Sequence, residues 1–249
     1  MIKHNLLLLV LILFCGQEAI SQNQDRDFGK PLVVLTESNP WLMVIGSDVP
    51  TLALYDSGRV IYKVTTDNRS FYVTTKLDMM QTQAFISSLK LNDELSAIDN
   101  EIMASNGSDQ PTNTLVLNFK ELKIKNVYGN LRTDQNAIAN TPQAFLDTYN
   151  TIINFKGENA TTWIPEYIEV LLTDYSHSPR TPLPWPEEWP NLESKSTVER
   201  NDSLYSLYLP KANYEDYLAL LNQLKEKQGV QINGTIFSVS TRFPFPNLR

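Results

Sequence analysis

Short runs of aliphatic, β-branched and aromatic residues, separated by polar clusters, follow one another between residues 32 and 75. Runs of this length and composition predict β-strands. One polar cluster, Asp56-Ser57-Gly58, separates two runs and is typical of a hairpin turn. We therefore expect antiparallel pairing among strands at residues 32–36, 41–45, 51–55, 59–64 and 71–75.

The pattern then changes to helical spacing. Asp78 is followed three residues later by Gln81, and this pair has the residue types of a capping box. Phe85 and Leu89 recur four residues apart, as the buried face of an amphipathic helix requires. The sequence predicts a helix over residues 79–90.

Two further helices are predicted from their ends. Thr141 as N-cap, with Pro142 at the first helical position, opens a helix that should end near Phe155. Asn213 is the predicted N-cap of the last helix, and Gly229 is expected to end it.

The remaining runs predict strands and a loop. Residues 92–113 are rich in Asn, Ser, Gly and Asp and predict a polar loop. A second hairpin is expected over 115–124, and single strands over 167–172 and 204–209. Residues 230–241 predict either one strand with a bulge at Gly234 or a hairpin that turns at Asn233-Gly234.

Hairpins that alternate with single helices predict an α+β fold, with a mostly antiparallel mixed sheet and at least three helices. A polar stretch near residue 195 marks the expected internal boundary. The predicted units are a signal peptide (1–21), a flexible leader (22–31), a main α+β domain (32–194) and a C-terminal strand-helix-strand unit packed on the main body (195–249).

The N-terminus has the pattern of a cleavable export signal. A basic start is followed by an apolar run over residues 6–14, which is shorter than the ~20 residues that span a bilayer. Ala19 and Ser21 supply small residues at positions −3 and −1, so we expect cleavage after Ser21. We therefore expect a soluble periplasmic or extracellular protein with no transmembrane segment after cleavage.

Cys15 raises a less favoured alternative, a lipoprotein acylated at that cysteine. Lipidation normally requires small residues just before the cysteine, whereas Leu13 and Phe14 stand there. Because Cys15 is the only cysteine, cleavage after Ser21 would leave no disulfide, thiol nucleophile or thiolate metal site.

Charge and missing motifs narrow the functional classes. The chain has 28 Asp and Glu against 21 Lys and Arg, a net charge of −7, which opposes a nucleic-acid partner. No phosphate-binding loop, dinucleotide fingerprint, zinc helix or nucleophile elbow occurs, and no cofactor is expected.

His177 lies close to Asp174 and Ser176, but catalytic triads assemble from separate elements. We interpret this stretch as a polar turn.

The candidate binding residues lie in a proline-dense stretch from Ser178 to Pro190. Trp185 and Trp189 flank Glu187 and Glu188, so indoles could stack on a sugar while carboxylates bind its hydroxyls. In an extended segment the two indoles would lie about 12 Å apart, at ~3.1 Å per residue. We expect at least one indole to anchor the segment, and an exposed partner would mark a binding surface.

Four segments together resemble a group of exported bacterial proteins of the Bacteroidetes type, which have no assigned activity. The resemblance covers about residues 50–192 and, more weakly, the ending from Phe237. It implies export and no particular chemistry. The segments that carry it are Thr51–Tyr62, Asp109–Thr114, Trp163–Val170 and Trp185–Pro190, with the Ala-Ile-Ser-Gln end of the signal.

These features favour a non-enzymatic binding or interaction module of the cell envelope, whose partner is an envelope protein or a glycan. The alternative is a carbohydrate-active hydrolase. It would need two Asp or Glu carboxyl groups from different elements, about 5 to 9.5 Å apart across an open cleft.

Intact-mass analysis of the protein from its native host tests the predicted processing. A mature chain that begins at Gln22 is the expected result. A mass that corresponds to a lipidated start at Cys15 would establish the lipoprotein alternative instead.

Overall fold

Two β-sheets organise the chain. The computed structural model describes residues 27–38, 49–66, 69–201 and 203–248, so the predicted signal peptide and the predicted strand at 41–45 lie outside the described residues. The fold is α+β, as predicted, with mostly antiparallel pairing in both sheets and five α-helices between residues 79 and 223. None of the helices in the described ranges has the length and hydropathy needed to cross a membrane.

The first sheet has eight strands in the order β5-β7-β6-β1-β2-β3-β4-β8. All neighbours are antiparallel except β5 and β7, which are parallel. The strands are β1 Pro31–Ser38, β2 Leu52–Tyr55, β3 Arg59–Thr66, β4 Arg69–Lys76, β5 Glu101–Met103, β6 Thr112–Asn118, β7 Leu122–Tyr128 and β8 Thr161–Thr162.

Four helices belong to this first part of the chain: α1 Met79–Ser88, α2 Asp93–Ala97, α3 Gln135–Asn140 and α4 Gln143–Ile153. Their apolar side chains pack on one face of the sheet and form the largest core with it. Phe145, Tyr149 and Ile152 of α4 are at most 1% exposed. Their spacing of four and three residues is the reason that α4 buries one continuous face.

The second sheet has six strands in the order β10-β13-β14-β9-β12-β11, with only β10 and β13 parallel. Helix α5, Tyr214–Gln223, packs on one face through Tyr217. The strands are β9 Tyr167–Asp174, β10 Leu183–Pro184, β11 Val198–Asn201, β12 Leu204–Pro210, β13 Val230–Ile232 and β14 Thr235–Arg242.

The C-terminal segment returns to the first sheet, on the face opposite the helices. Phe245 packs there with Trp163 and Tyr72, at ring-centroid distances of 5.0 and 5.3 Å. The Tyr55 hydroxyl donates to the Pro246 carbonyl at 2.9 Å. Phe243 packs against this cluster and against the core of the second sheet, so the segment joins the two sheets.

Several predicted local features are confirmed. Asp78 and Gln81 form the complete capping box of α1. Gly58 turns the β2-β3 hairpin at φ +80°, where a Cβ would lie 2.4 Å from the Leu77 carbonyl oxygen. Asn233 and Gly234 both have positive φ, so residues 230–241 adopt the hairpin alternative through a type I′ turn.

The predicted boundary at residue 194 does not coincide with the division between the sheets, which falls between Thr162 and Tyr167. Strand β9, assigned by the sequence to the main domain, instead pairs with both β12 and β14. The predicted strand-helix-strand unit is therefore incomplete without β9. Its continuous run of buried residues is typical of a central strand, but such a run does not identify its neighbours.

Some predicted ends and loops are wrong. The polar loop 92–113 contains α2 and β5, and it ends where β6 begins. Thr141 does not cap α4, because its hydroxyl donates to the Ala137 carbonyl of the helix before it. Asn213 ends a 3₁₀ turn and makes no side-chain cap, and α5 ends at Gln223 rather than near Gly229.

Candidate functional site

The predicted tryptophan pair lies in the core of the second sheet. Trp185 is 6% exposed and Trp189 is 5% exposed. Their ring centroids are 5.0 Å apart in an edge-to-face contact, and both rings contact Tyr217 of α5. The Trp185 indole also donates to the Pro190 carbonyl at 2.9 Å. The predicted anchoring role is confirmed for both indoles.

The expected 12 Å separation is wrong, because the segment does not stay extended. The Trp189 amide donates to the Pro186 carbonyl at 3.2 Å and closes a turn that brings the rings together. Glu187 and Glu188 are exposed at this turn. No exposed indole accompanies them in this segment, so the sugar-stacking platform that the hypothesis required is missing.

His177 lies in an exposed polar turn. The Ser176 amide donates to Asp174 Oδ1 at 2.8 Å, and the Ser176 hydroxyl donates to the same oxygen. Hydrogen bonds from the Ser176 side chain and backbone hold the pKa of Asp174 below its usual value. Ser176 is thus engaged by Asp174 in a local turn, as the sequence predicted.

The structure instead points to a cleft of about 790 Å³ between the first sheet and the end of α4. One wall carries Glu37, Thr51 and Arg132. Elsewhere the lining is mixed, and polar side chains such as Asn113 and Asn130 lie beside apolar ones. The apolar ones come from β3, the loop after β7, and α4 with the residues that follow it. These apolar lining residues are Tyr62, Val64, Leu131, Ile152, Ile153 and Phe155.

Glu37, near the end of β1, is the centre of the polar wall. Its Oε1 accepts from Arg132 Nε at 2.8 Å and from the Tyr149 hydroxyl at 2.6 Å. Its Oε2 accepts from Arg132 Nη2 at 2.7 Å and from the Thr51 hydroxyl at 2.7 Å. Each carboxylate oxygen therefore has two donors, and the Arg132 pair is bidentate.

These donors determine the protonation state of the cluster. Burial alone would raise the pKa of Glu37, but the hydrogen bonds and the charge of Arg132 outweigh burial and lower it. The hydrogen bond to Glu37 raises the pKa of Arg132. Burial, together with the negative charge of Glu37, raises the pKa of Tyr149. Glu37 is therefore ionised and Tyr149 protonated at neutral pH.

Local structure fixes the position of Arg132. Asn130 Oδ1 accepts from the Arg132 and Thr133 amides, at 3.0 and 3.2 Å, and so shapes the loop after β7. Leu131 is 5% exposed and anchors this loop in the first core. The guanidinium of Arg132 also lies 5.9 Å from the centroid of the Tyr149 ring. Such a bidentate, stacked arginine is held in one orientation.

Two lysines, Lys63 and Lys156, also line the cleft. Both residues are exposed, and neither forms a salt bridge with any residue in the described ranges. The charge of Arg132, by contrast, is balanced by Glu37 at 2.7 Å. Among the described residues that line the cleft, positive charges therefore outnumber negative ones, in a chain whose net charge is −7.

Sequence reasoning missed this cluster because its members are distant along the chain. Glu37 is separated by 14 residues from Thr51, 95 from Arg132 and 112 from Tyr149. The one local sign of the cluster in the sequence is that Glu37 is the single charged residue of strand β1.

Within the described residues, no group of three or more His, Cys, Asp and Glu side chains is placed to hold a metal ion. The chain has no significant match among protein-family models, curated proteins or solved structures. The geometry of the cleft is therefore the main indication of function.

Replacing Glu37 by Gln should destabilise the protein by about 2 kcal/mol at neutral pH, because the amide group would turn N–H donors toward Arg132. Because folding lowers the pKa of Glu37, its stabilisation is present above its ordinary value of 4.5 and is lost as the pH falls through the folded-state pKa. Urea unfolding should be measured at neutral pH and near pH 3. The difference in the free energy of unfolding between wild type and variant should be smaller at the acidic pH.

Glu121→Gln is the matched control, because Glu121 is an exposed acid in the turn between β6 and β7. It should leave the free energy of unfolding nearly unchanged. Equal effects of the two substitutions would contradict the role assigned to Glu37.

Proposed function

We propose that the protein is a non-enzymatic binding protein of the cell envelope, and that the cleft beside Glu37 holds a small amphipathic ligand with an anionic group. The observation that carries the proposal is a cleft of about 790 Å³ lined by both apolar and polar side chains, with one polar wall already fixed by hydrogen bonds. Its volume lies within the ~300–1,000 Å³ typical of small-molecule sites.

The lining supports an amphipathic ligand rather than a sugar. Tyr62, Ile153 and Phe155 offer apolar contact area, while Lys63 and Lys156 supply positive charge. A sugar-binding surface would be expected to present an open aromatic face, yet both candidate indoles are buried. An apolar body with a carboxylate, sulfonate or similar group fits this combination best.

The chemistry of Glu37 argues against hydrolysis. A general acid in a glycosidase needs a raised pKa, whereas the pKa of Glu37 is lowered. Both of its oxygens are saturated by donors, and no second carboxylate is among the described residues that line the cleft. Glu37 is better suited to hold the wall rigid than to move a proton.

The proposed envelope location rests on the N-terminal sequence pattern.

The wall of the cleft is pre-organised, which limits the conformational entropy lost when a ligand binds. The cleft would then work as a largely preformed receptor.

Binding of 8-anilinonaphthalene-1-sulfonate tests the proposal, because this probe combines an apolar aromatic body with one anionic group. We expect saturable fluorescence enhancement with wild type. Val64→Trp should fill part of the cleft and weaken binding at least about tenfold, or 1.4 kcal/mol. Val198→Trp, at an exposed position on the edge strand β11, is the matched control and should bind like wild type.

Charge reversal tests the electrostatic part of the proposal separately. Lys156→Glu should weaken probe binding more than Lys225→Glu, because Lys225 is an exposed lysine that does not line the cleft. Equal binding by wild type, Val64→Trp and Lys156→Glu would exclude the cleft as the binding site.

A further inference from the structure

Asn113 of β6 lines the cleft and is only 1% exposed. Its amide nitrogen donates to the carbonyl oxygens of Val127 and Gly129, at 3.0 and 2.8 Å. Two carbonyl acceptors on one side of the amide fix its orientation, because only the nitrogen can donate to them. The nitrogen is therefore fully used by β7 and the residue after it, and the other end of the amide is the acceptor Oδ1.

Oδ1 of Asn113 accepts no hydrogen bond from any of the residues that the structure describes. The same residues contain no buried side-chain oxygen that lacks both a hydrogen-bond partner and contact with solvent. Oδ1 therefore meets solvent, and the cleft is the space that Asn113 lines. An acceptor in this position is costly to leave unpaired when a ligand displaces water from it. A ligand that fills this end of the cleft must supply a donor.

The neighbours of Asn113 complete the chemistry of this end. Glu37 is paired with Asn113 in register between β1 and β6, and as an ionised carboxylate it has no proton to donate. Asn130 uses its Oδ1 to accept from two backbone amides, whereas its Nδ2 makes no hydrogen bond within the described ranges. This end of the cleft therefore offers one acceptor and one donor, which matches a hydroxyl or an amide group.

The cleft is elongated, because its lining residues come from four adjacent strands in the order β6-β1-β2-β3 or from the residue just before β2. Three strand spacings of ~4.8 Å place the backbones of Asn113 and Lys63 roughly 14 Å apart. Lys156 follows Phe155, whose ring contacts that of Tyr62 in β3 at 5.1 Å. Both lysines therefore lie at the β3 end, and the Asn113 acceptor lies at the β6 end.

We propose that the ligand of the cleft is an elongated amphipathic acid with a hydroxyl or amide N–H donor at the end opposite its acidic group, and that Asn113 Oδ1 accepts from this donor. The inference rests on the proposed function and adds the second polar group of the ligand. The acidic group itself does not fit beside Asn113, because a carboxylate has no proton to donate and would meet the negative charge of Glu37. It lies instead at the lysine end.

The test compares two acids with equal numbers of non-hydrogen atoms, ω-hydroxydodecanoate and ω-methoxyundecanoate, as competitors of the anilinonaphthalene sulfonate probe. Both have a carboxylate and a distant oxygen acceptor, but only the hydroxy acid has a donor at the far end. Below the concentration at which either acid forms micelles, wild type should bind the hydroxy acid at least about fivefold more tightly. The hydroxy acid should also shift the NMR signals of the Asn113 side-chain amide more than the ether does.

Asn113→Val removes the acceptor and should reduce the preference for the hydroxy acid to about one. Asn118→Val is the matched control, because Asn118 lies on the opposite face of the same strand and should leave the preference unchanged. The comparison in wild type and the NMR signals do not depend on the folding of Asn113→Val, which loses two hydrogen bonds to its neighbours.

A preference for the hydroxy acid that Asn113→Val abolishes and Asn118→Val retains would support the proposal. Equal binding of the two acids by wild type, or a preference that persists in folded Asn113→Val, would overturn it. Failure of both acids to displace a sulfonate probe that does bind would also overturn it, and would leave the proposed function standing. Absence of binding by the sulfonate probe would overturn the proposed function and this inference with it.

Discussion

One partly buried charge, the carboxylate of Glu37, joins the first sheet to its helical layer. Glu37 lies near the end of β1 with a side chain 18% exposed, where an uncompensated carboxylate would be costly. Arg132, Tyr149 and Thr51 supply four hydrogen bonds to its two oxygens. These donors come from the loop after β7, from α4 and from the residue before β2. The carboxylate therefore ties the helical layer to the sheet and fixes the wall of the cleft.

The second sheet satisfies its buried carboxylate, that of Glu169, with a different set of donors. Glu37 has one arginine and two hydroxyl donors, so its cluster is neutral and closed. Glu169 accepts from two arginines and one serine, and its side chain is more deeply buried, at 2% exposed. The first arrangement shapes the wall of the cleft, and the second ties β9 to its neighbours β12 and β14 and to the edge strand β11.

A feature of the fold could be predicted when the residues that determine it lie close together in the sequence. The β2-β3 hairpin and the capping box of α1 depend on residues a few positions apart, and both were predicted. The turn at Asn233-Gly234 is equally local and was one of the two alternatives predicted for its segment. The neighbours of β9 depend on pairing across more than 30 residues, which periodicity does not encode. The separation of Trp185 and Trp189 was wrong because a turn with no glycine or Asn-Gly signal joins them. The Glu37 cluster escaped prediction for the same physical reason, since its donors converge only after the sheet and α4 have assembled.

The most direct test of this account is the pKa of Glu37 itself, measured by NMR titration of its side-chain carboxyl carbon. The account predicts a value below the ordinary 4.5, because four donors stabilise the ionised form more than burial destabilises it. It also predicts that Tyr149→Phe, which removes one donor, moves the value upward. A pKa at or above 4.5 in the wild type would contradict the claim that Glu37 is a saturated, ionised centre that fixes the cleft wall.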